Sequence, residues 1–99
     1  MEVRFDDDDD LDRLETDPAF TGGRPPAVVK AFRKVMQFIR AAADERDFYA
    51  MKSLHFEKLK GARDHQRSVR LNDQWRLVFE FEGKGQTKVV VVKGIEDYH

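Results

Sequence analysis

Ninety-nine residues without a cysteine confine the chain to one hydrophobic core and exclude both a disulfide framework and thiolate chemistry. Hydrophobic residues at 40%, eight of them Phe, can fill that core, and no apolar run approaches the roughly 20 residues that span a bilayer. The net charge of −1 splits into an acidic front and a basic body: residues 1–20 hold nine acids against Arg4 and Arg13, whereas residues 21–99 hold sixteen bases against ten acids.

This balance predicts a single domain, 1–99, soluble and cytoplasmic, with no membrane association. Its body has the charge to attract a polyanion, although a solvated charged surface explains the same composition. The N-terminal Met1-Glu2-Val3-Arg4-Phe5 lacks the basic and apolar regions of a signal peptide and alternates as a short half-buried strand does. The acidic run Asp6 to Asp10 places carboxylates before Leu11-Asp12-Arg13-Leu14, where cap hydrogen bonds and the macrodipole favour a helix start. Pro18 and the stretch from Thr21 to Pro26 end that helix in a loop.

A longer helix is predicted from about Pro26 to Ala43. Val28, Phe32, Val35, Met36 and Ile39 form one apolar stripe, widened by Ala31, Phe38 and Ala42, and such a stripe packs on a sheet. Asp44 to Asp47 connect it to a last helical turn at Phe48-Tyr49-Ala50-Met51. Strand patterns follow. His55 to Leu59 reads as a short strand stopped by Lys60-Gly61, a charged turn runs from Ala62 to Gln66, and Ser68 to Leu71 is the next strand. Asn72-Asp73 is a tight-turn pair. Trp75, Leu77, Phe79 and Phe81 then alternate with Arg76, Val78, Glu80 and Glu82, so one face is apolar and the other mainly charged. After a hairpin loop at Gly83-Lys84-Gly85, Lys88 and Lys93 bracket four valines, a strand buried on both faces. The fold class is α+β: an antiparallel sheet of about four to five strands with two to three helices on one side.

No phosphate-binding glycine loop is present, because Gly22-Gly23 lacks a following Lys and Ser or Thr, and three scattered histidines suggest no zinc site. Neither a cofactor nor a metal is expected. What remains is a concentration of bases, histidines and one tyrosine in the strand half. Cutting an RNA strand needs a base for the 2′-hydroxyl proton, cations for the charge on phosphorus, and an acid for the leaving 5′-oxygen. Asp97, Tyr98 and His99, with Lys58, Lys60, Arg70 and Arg76 on or beside the preceding strands, supply those parts. Each also has a plainer reading. Arg70 and Arg76 fall on the non-core face, where solvation competes, Trp75 is core rather than a stacking platform, and His65 is a bystander. Asp97 to His99 would ordinarily fray, but the tripeptide follows the valine strand and Ile95 directly.

Leu59-Lys60-Gly61, then Ser68 to Leu77 with Asn72-Asp73-Gln74-Trp75-Arg76, and the ending Glu96-Asp97-Tyr98-His99 together resemble the HigB-type toxins of the RelE/ParE superfamily. That resemblance implies a ribosome-dependent endoribonuclease that cuts messenger RNA without a metal and is silenced by a helix-turn-helix, HigA-like antitoxin. It also implies residue roles. His99 is the main acid/base group, flanked by Asp97 and Tyr98, Arg76 binds the scissile phosphate, and Lys60 contacts the RNA backbone. The family often carries a Leu-His-Pro-Leu-Lys-Gly stretch whose His joins the site. Here Leu54-His55 stands two residues further from Lys60-Gly61, so counting back puts Glu57 at the family position and His55 about 6.6 Å along the strand. Two other outcomes fit the same fold: a ParE-like inhibitor that binds DNA gyrase without catalysis, and an inactive RNA- or protein-binding relative.

Overall fold

A computed structural model describes residues 1–6, 10–84 and 88–97. Five strands form one sheet: β1 (Glu2–Phe5), β2 (Glu57–Lys58), β3 (Gln66–Arg70), β4 (Trp75–Glu82) and β5 (Val89–Asp97), in the order β1-β5-β4-β3-β2. The helices α1 (Leu11–Thr16), α2 (Pro26–Ala41) and α3 (Arg46–Ala50) make the second layer. β2 to β5 pair antiparallel, as the turns between them require. The expectation of a wholly antiparallel sheet is corrected at one edge, where β1 runs parallel to β5 with Phe5 opposite Val92. Three helices separate β1 from the meander, so no hairpin fixes its direction.

Strand register sorts the side chains. Val3, Phe5, Val69, Leu77, Phe79, Val90 and Val92 share the face that packs on α2, and they join its stripe of Val28, Phe32, Val35, Met36 and Ile39 in one buried core. α2 ends two residues before the expected limit, at Ala41, and Ala42 already has extended backbone. Arg33 ties α1 to α2 by donating to the carbonyls of Leu14, Asp17 and Phe20 at 3.0, 2.9 and 3.1 Å. The cap expected from the aspartate run is not formed at Asp10, which adopts a left-handed conformation with φ 56° and accepts no side-chain cap bond. Asp7 to Asp9 lie outside the described residues.

The valine strand extends further than its apolar run. It continues to Asp97, and Lys93 is the extra residue of a bulge between the Val78–Gly94 and Phe79–Val92 pairs. The bulge turns the Lys93 amine to the second face, 2.7 Å from Asp6 and 3.9 Å from Glu80. Val91 and Val78 are buried on that face too, which agrees with a strand covered on both sides.

Five aromatic rings lock α3 and the chain after it onto the sheet. Phe48 lies 5.7 Å from Phe38, 5.3 Å from Phe56, 5.7 Å from Phe79 and 5.8 Å from Phe81 between ring centroids. Tyr49 adds an edge contact to Phe56 at 4.8 Å. Truncating the central ring removes both its burial and its pair geometry. Phe48→Ala should therefore cost about 3–5 kcal/mol, seen as a lower urea midpoint with an unchanged slope.

Candidate functional site

β4 presents Arg76 to the face opposite the helices, paired with Arg70 of β3 and beside Ser68. Sequence alternation puts Arg76 on the non-core face and leaves solvation as a competing reading; in the structure only 6% of the residue is exposed. Its Nε donates to Ser68 Oγ at 2.8 Å, its Nη2 donates to the His55 carbonyl, and Glu57 Oε2 lies 3.8 Å from Nη2. Alternation gives the face of a strand but not its depth, which depends on what lies over that face. Here the covering piece is the segment Leu54-His55-Phe56-Glu57, distant in sequence.

That segment also departs from the expected strand. A 3₁₀ turn at Lys52–Leu54 is closed by His55 in the left-handed region, φ 46°, and β2 is only Glu57–Lys58. Buried Leu54 and the half-buried Phe56, held in the aromatic cluster, clamp His55 from both sides. The His55 ring stays exposed, with Nε2 3.5 Å from Arg70 Nη1. A guanidinium has no acceptor, so Arg70 is the donor in that contact.

Asn72 accepts from the backbone N–H groups of Gln74 and Trp75 at 2.9 and 2.8 Å, shaping the turn from β3 to β4. Arg70 donates from Nε to the Asn72 carbonyl at 3.2 Å and pairs with Asp73. His55, Arg70, Asn72, Asp73 and Arg76 thereby line one cleft of about 260 Å³. Asp97 closes β5 opposite Trp75 and accepts from Gln74 Nε2 at 3.3 Å, so β5 ends beside this turn. Tyr98 and His99 lie outside the described residues.

The other predicted residues are placed apart. Lys58 sits opposite Arg67, which itself pairs with Phe79 of the core face, so its register is that of the helix side. Lys60 is exposed at the start of the 3₁₀ turn Gly61–Arg63. Neither lines the cleft. Trp75 is half-buried against the core, as its alternation predicts, and His65 lies 3.4 Å from Glu80. Sequence reasoning missed Asn72 and Asp73 as cleft residues because turn chemistry explained them fully. It also missed Ser68, whose sole signal is a small polar residue inside a strand.

The rest of this face is internally paired. Arg4 meets Glu82, and Arg63 donates to both oxygens of Glu96 at 3.0 and 2.5 Å, a hydrogen bond that raises the Arg63 pKa against the opposing effect of desolvation. Hydrogen bonding to Lys93 lowers the Asp6 carboxyl below the usual range, and the same bond raises Lys93. Among the described residues no group of three or more His, Asp or Glu gathers at metal-binding distance.

A family model described as the RelE-like toxin of the type II toxin–antitoxin system HigB matches residues 4–99. The chain belongs to the HigB-like toxins. A solved structure, the YoeB/ParE toxin from Agrobacterium tumefaciens, is similar over 100% of both chains with a TM-score of 0.60 at 18% identity, a likeness of fold. No curated protein matches. Membership in this HigB-like family implies an antitoxin partner.

A left-handed His costs about 1–2 kcal/mol that glycine does not incur. His55→Gly should thus be at least as stable as His55→Ala in thermal unfolding, while removing the ring from the cleft. If the alanine variant proves clearly more stable than the glycine variant, the Arg76-held carbonyl does not impose this backbone.

Proposed function

We propose that this HigB-like protein is a ribosome-dependent endoribonuclease acting on messenger RNA in the cytoplasm. The observation that carries the reading is the end of β5. Asp97 is bound to Gln74, next to Asp73, at the rim of the cleft formed by His55, Arg70 and Arg76. Two further residues of chain, with a reach of about 7 Å, bring the sequence to His99.

In the proposed reaction a histidine takes the 2′-hydroxyl proton. The 2′-oxygen then attacks phosphorus, and the bond to the 5′-oxygen breaks as an acid protonates it. The products are a 2′,3′-cyclic phosphate and a 5′-hydroxyl. His99 is assigned the principal acid/base role, with Tyr98 and Asp97 beside it. His55 presents a second imidazole to the reaction from the wall of the cleft, beside Arg70. Arg70 grips the phosphate from the wall of the cleft and Arg76 supplies positive charge at its floor. Lys60 follows the RNA backbone outside the cleft, and Lys58, facing the helix side, is the weakest member of the set. The chemistry needs no metal or cofactor. The ribosome presents the message, and a helix-turn-helix antitoxin silences the protein.

Expression in bacteria should arrest growth, and deletion of His99 or His99→Ala should relieve the arrest while antitoxin binding persists. Mapping of 5′ ends after induction should show cuts at codon boundaries in translated messages only, bearing 5′-hydroxyls, and cleavage by purified ribosomes and protein should survive a chelator of divalent ions other than the magnesium that the ribosomes need. Loss of DNA supercoiling with intact messages would instead establish gyrase inhibition, and growth without arrest would establish an inactive relative.

A further inference from the structure

Away from the cleft, the outer side of α2 carries an apolar groove. Ala31, Lys34, Val35, Phe38 and Ala41 lie at i, i+3, i+4, i+7 and i+10, one continuous strip of α2, and with Ala42 just past its end they line two adjoining cavities. Phe38 and Met51 line both cavities, so the two form one trough. Its opposite wall is Met51, Ser53 and Leu54 from the 3₁₀ turn after α3. Eleven residues of helix rise about 16 Å, which is the length of three helical turns. Met51 is 43% exposed, and with Tyr49 it is one of the large hydrophobics left exposed among the described residues.

Charge selects the occupant. The larger cavity, about 330 Å³, is lined by the cations Lys34 and Arg70 and by no carboxylate among the described residues, and Asp47, which lines the adjoining cavity, already accepts from the backbone N–H groups of Ala43 and Asp44 at 2.7 and 3.4 Å. A second copy of this chain is a poor fit, because the apolar side chains of its acidic helix α1, Leu11 and Leu14, are already fully buried in its own core. We propose that the groove between α2 and the Lys52–Leu54 turn is the docking site of an acidic amphipathic helix of about three turns from the antitoxin. The antitoxin's existence rests on family membership alone and not on the ribonuclease reading. Arg70 lines both this groove and the His55–Arg76 cleft. A carboxylate of the docked helix therefore competes with Asp73 for Arg70 and couples occupancy of the groove to the state of the cleft.

The test uses Met51→Asp and Lys34→Glu, both at exposed positions, with Lys84→Glu at the β4–β5 hairpin as control. Each full-length variant is titrated with the purified product of the neighbouring gene that suppresses toxicity. Met51→Asp and Lys34→Glu should each weaken binding at least tenfold, remain toxic when expressed alone, and escape neutralisation, while Lys84→Glu binds normally. A photo-crosslinker at Gln37 should capture an acidic helical peptide of the antitoxin. Wild-type affinity in both groove variants would overturn the proposal, as would a crosslink to a second copy of the chain or none in the neutralised complex. Because binding and neutralisation are read independently of RNA cutting, failure of the ribonuclease assignment leaves the outcome interpretable.

Discussion

The guanidinium of Arg76 is the point on which the arrangement of the cleft depends. A cation taken out of water costs several kcal/mol unless acceptors surround it, and the neighbouring strand β3 supplies only part of the set, through Ser68. Ser68 contributes its hydroxyl and, at 3.5 Å, its carbonyl from β3, while the His55 carbonyl comes from the turn before β2 and, at longer range, the Glu57 carboxylate from β2 itself. Burying Arg76 therefore requires the His55–Glu57 segment to fold over it. The need is mutual, because a two-residue β2 is too short to hold that segment by ladder bonds. The left-handed turn at His55 is where the backbone aims its carbonyl inward and leaves the imidazole in the cleft.

Much of this fold is legible in the sequence wherever a period repeats. The α2 stripe and the Trp75–Phe81 alternation each run long enough that slipping the pattern would expose several large apolar groups, and both elements fold as read. Legibility fails where a contact distant in sequence decides. The direction of β1 is set by packing of Val3 and Phe5 under the helices, with no turn to signal it. His55 to Leu59 alternates well enough for a strand, yet the chain makes a 3₁₀ turn at Lys52–Leu54 and His55 takes a left-handed conformation, which no strand geometry allows. For the site, alternation selects the face that carries Arg70 and Arg76 and misjudges how deep Arg76 lies. The family comparison set Glu57 against His55 for one position. In the structure His55 lies beside Arg70 and Glu57 3.8 Å from Arg76, so each of the two stands next to a different arginine.

The two arginines consequently differ in kind. Arg76 is fixed by its buried partners and cannot move without undoing the segment above it. Arg70 is paired with Asp73, whose side chain is 94% exposed. An ion pair so open to water is worth only about 0–1 kcal/mol, so another anion can replace Asp73 at little cost. The cleft thus combines a rigid positive floor with an exchangeable cation at its wall. The remaining cations of the same face, Arg4, Arg63 and Lys93, already meet carboxylates, and Arg63 does so through two oxygens. These three cations are already engaged, whereas Arg70, whose carboxylate partner is open to water, stands at the end where β5 terminates.

The position of Arg70 gives that asymmetry a further consequence. Its guanidinium lines both a polar cleft and an apolar groove, and the Nη2 edge that meets Asp73 can meet a carboxylate offered from the groove instead. A partner that fills the groove with apolar side chains gains the burial energy there, roughly 25 cal/mol per Å², and can use part of it to reorient Arg70 away from Asp73. In the proposed reaction that movement withdraws the phosphate grip without the partner entering the cleft, and it leaves Arg76, and with it the fold of the His55 segment, undisturbed.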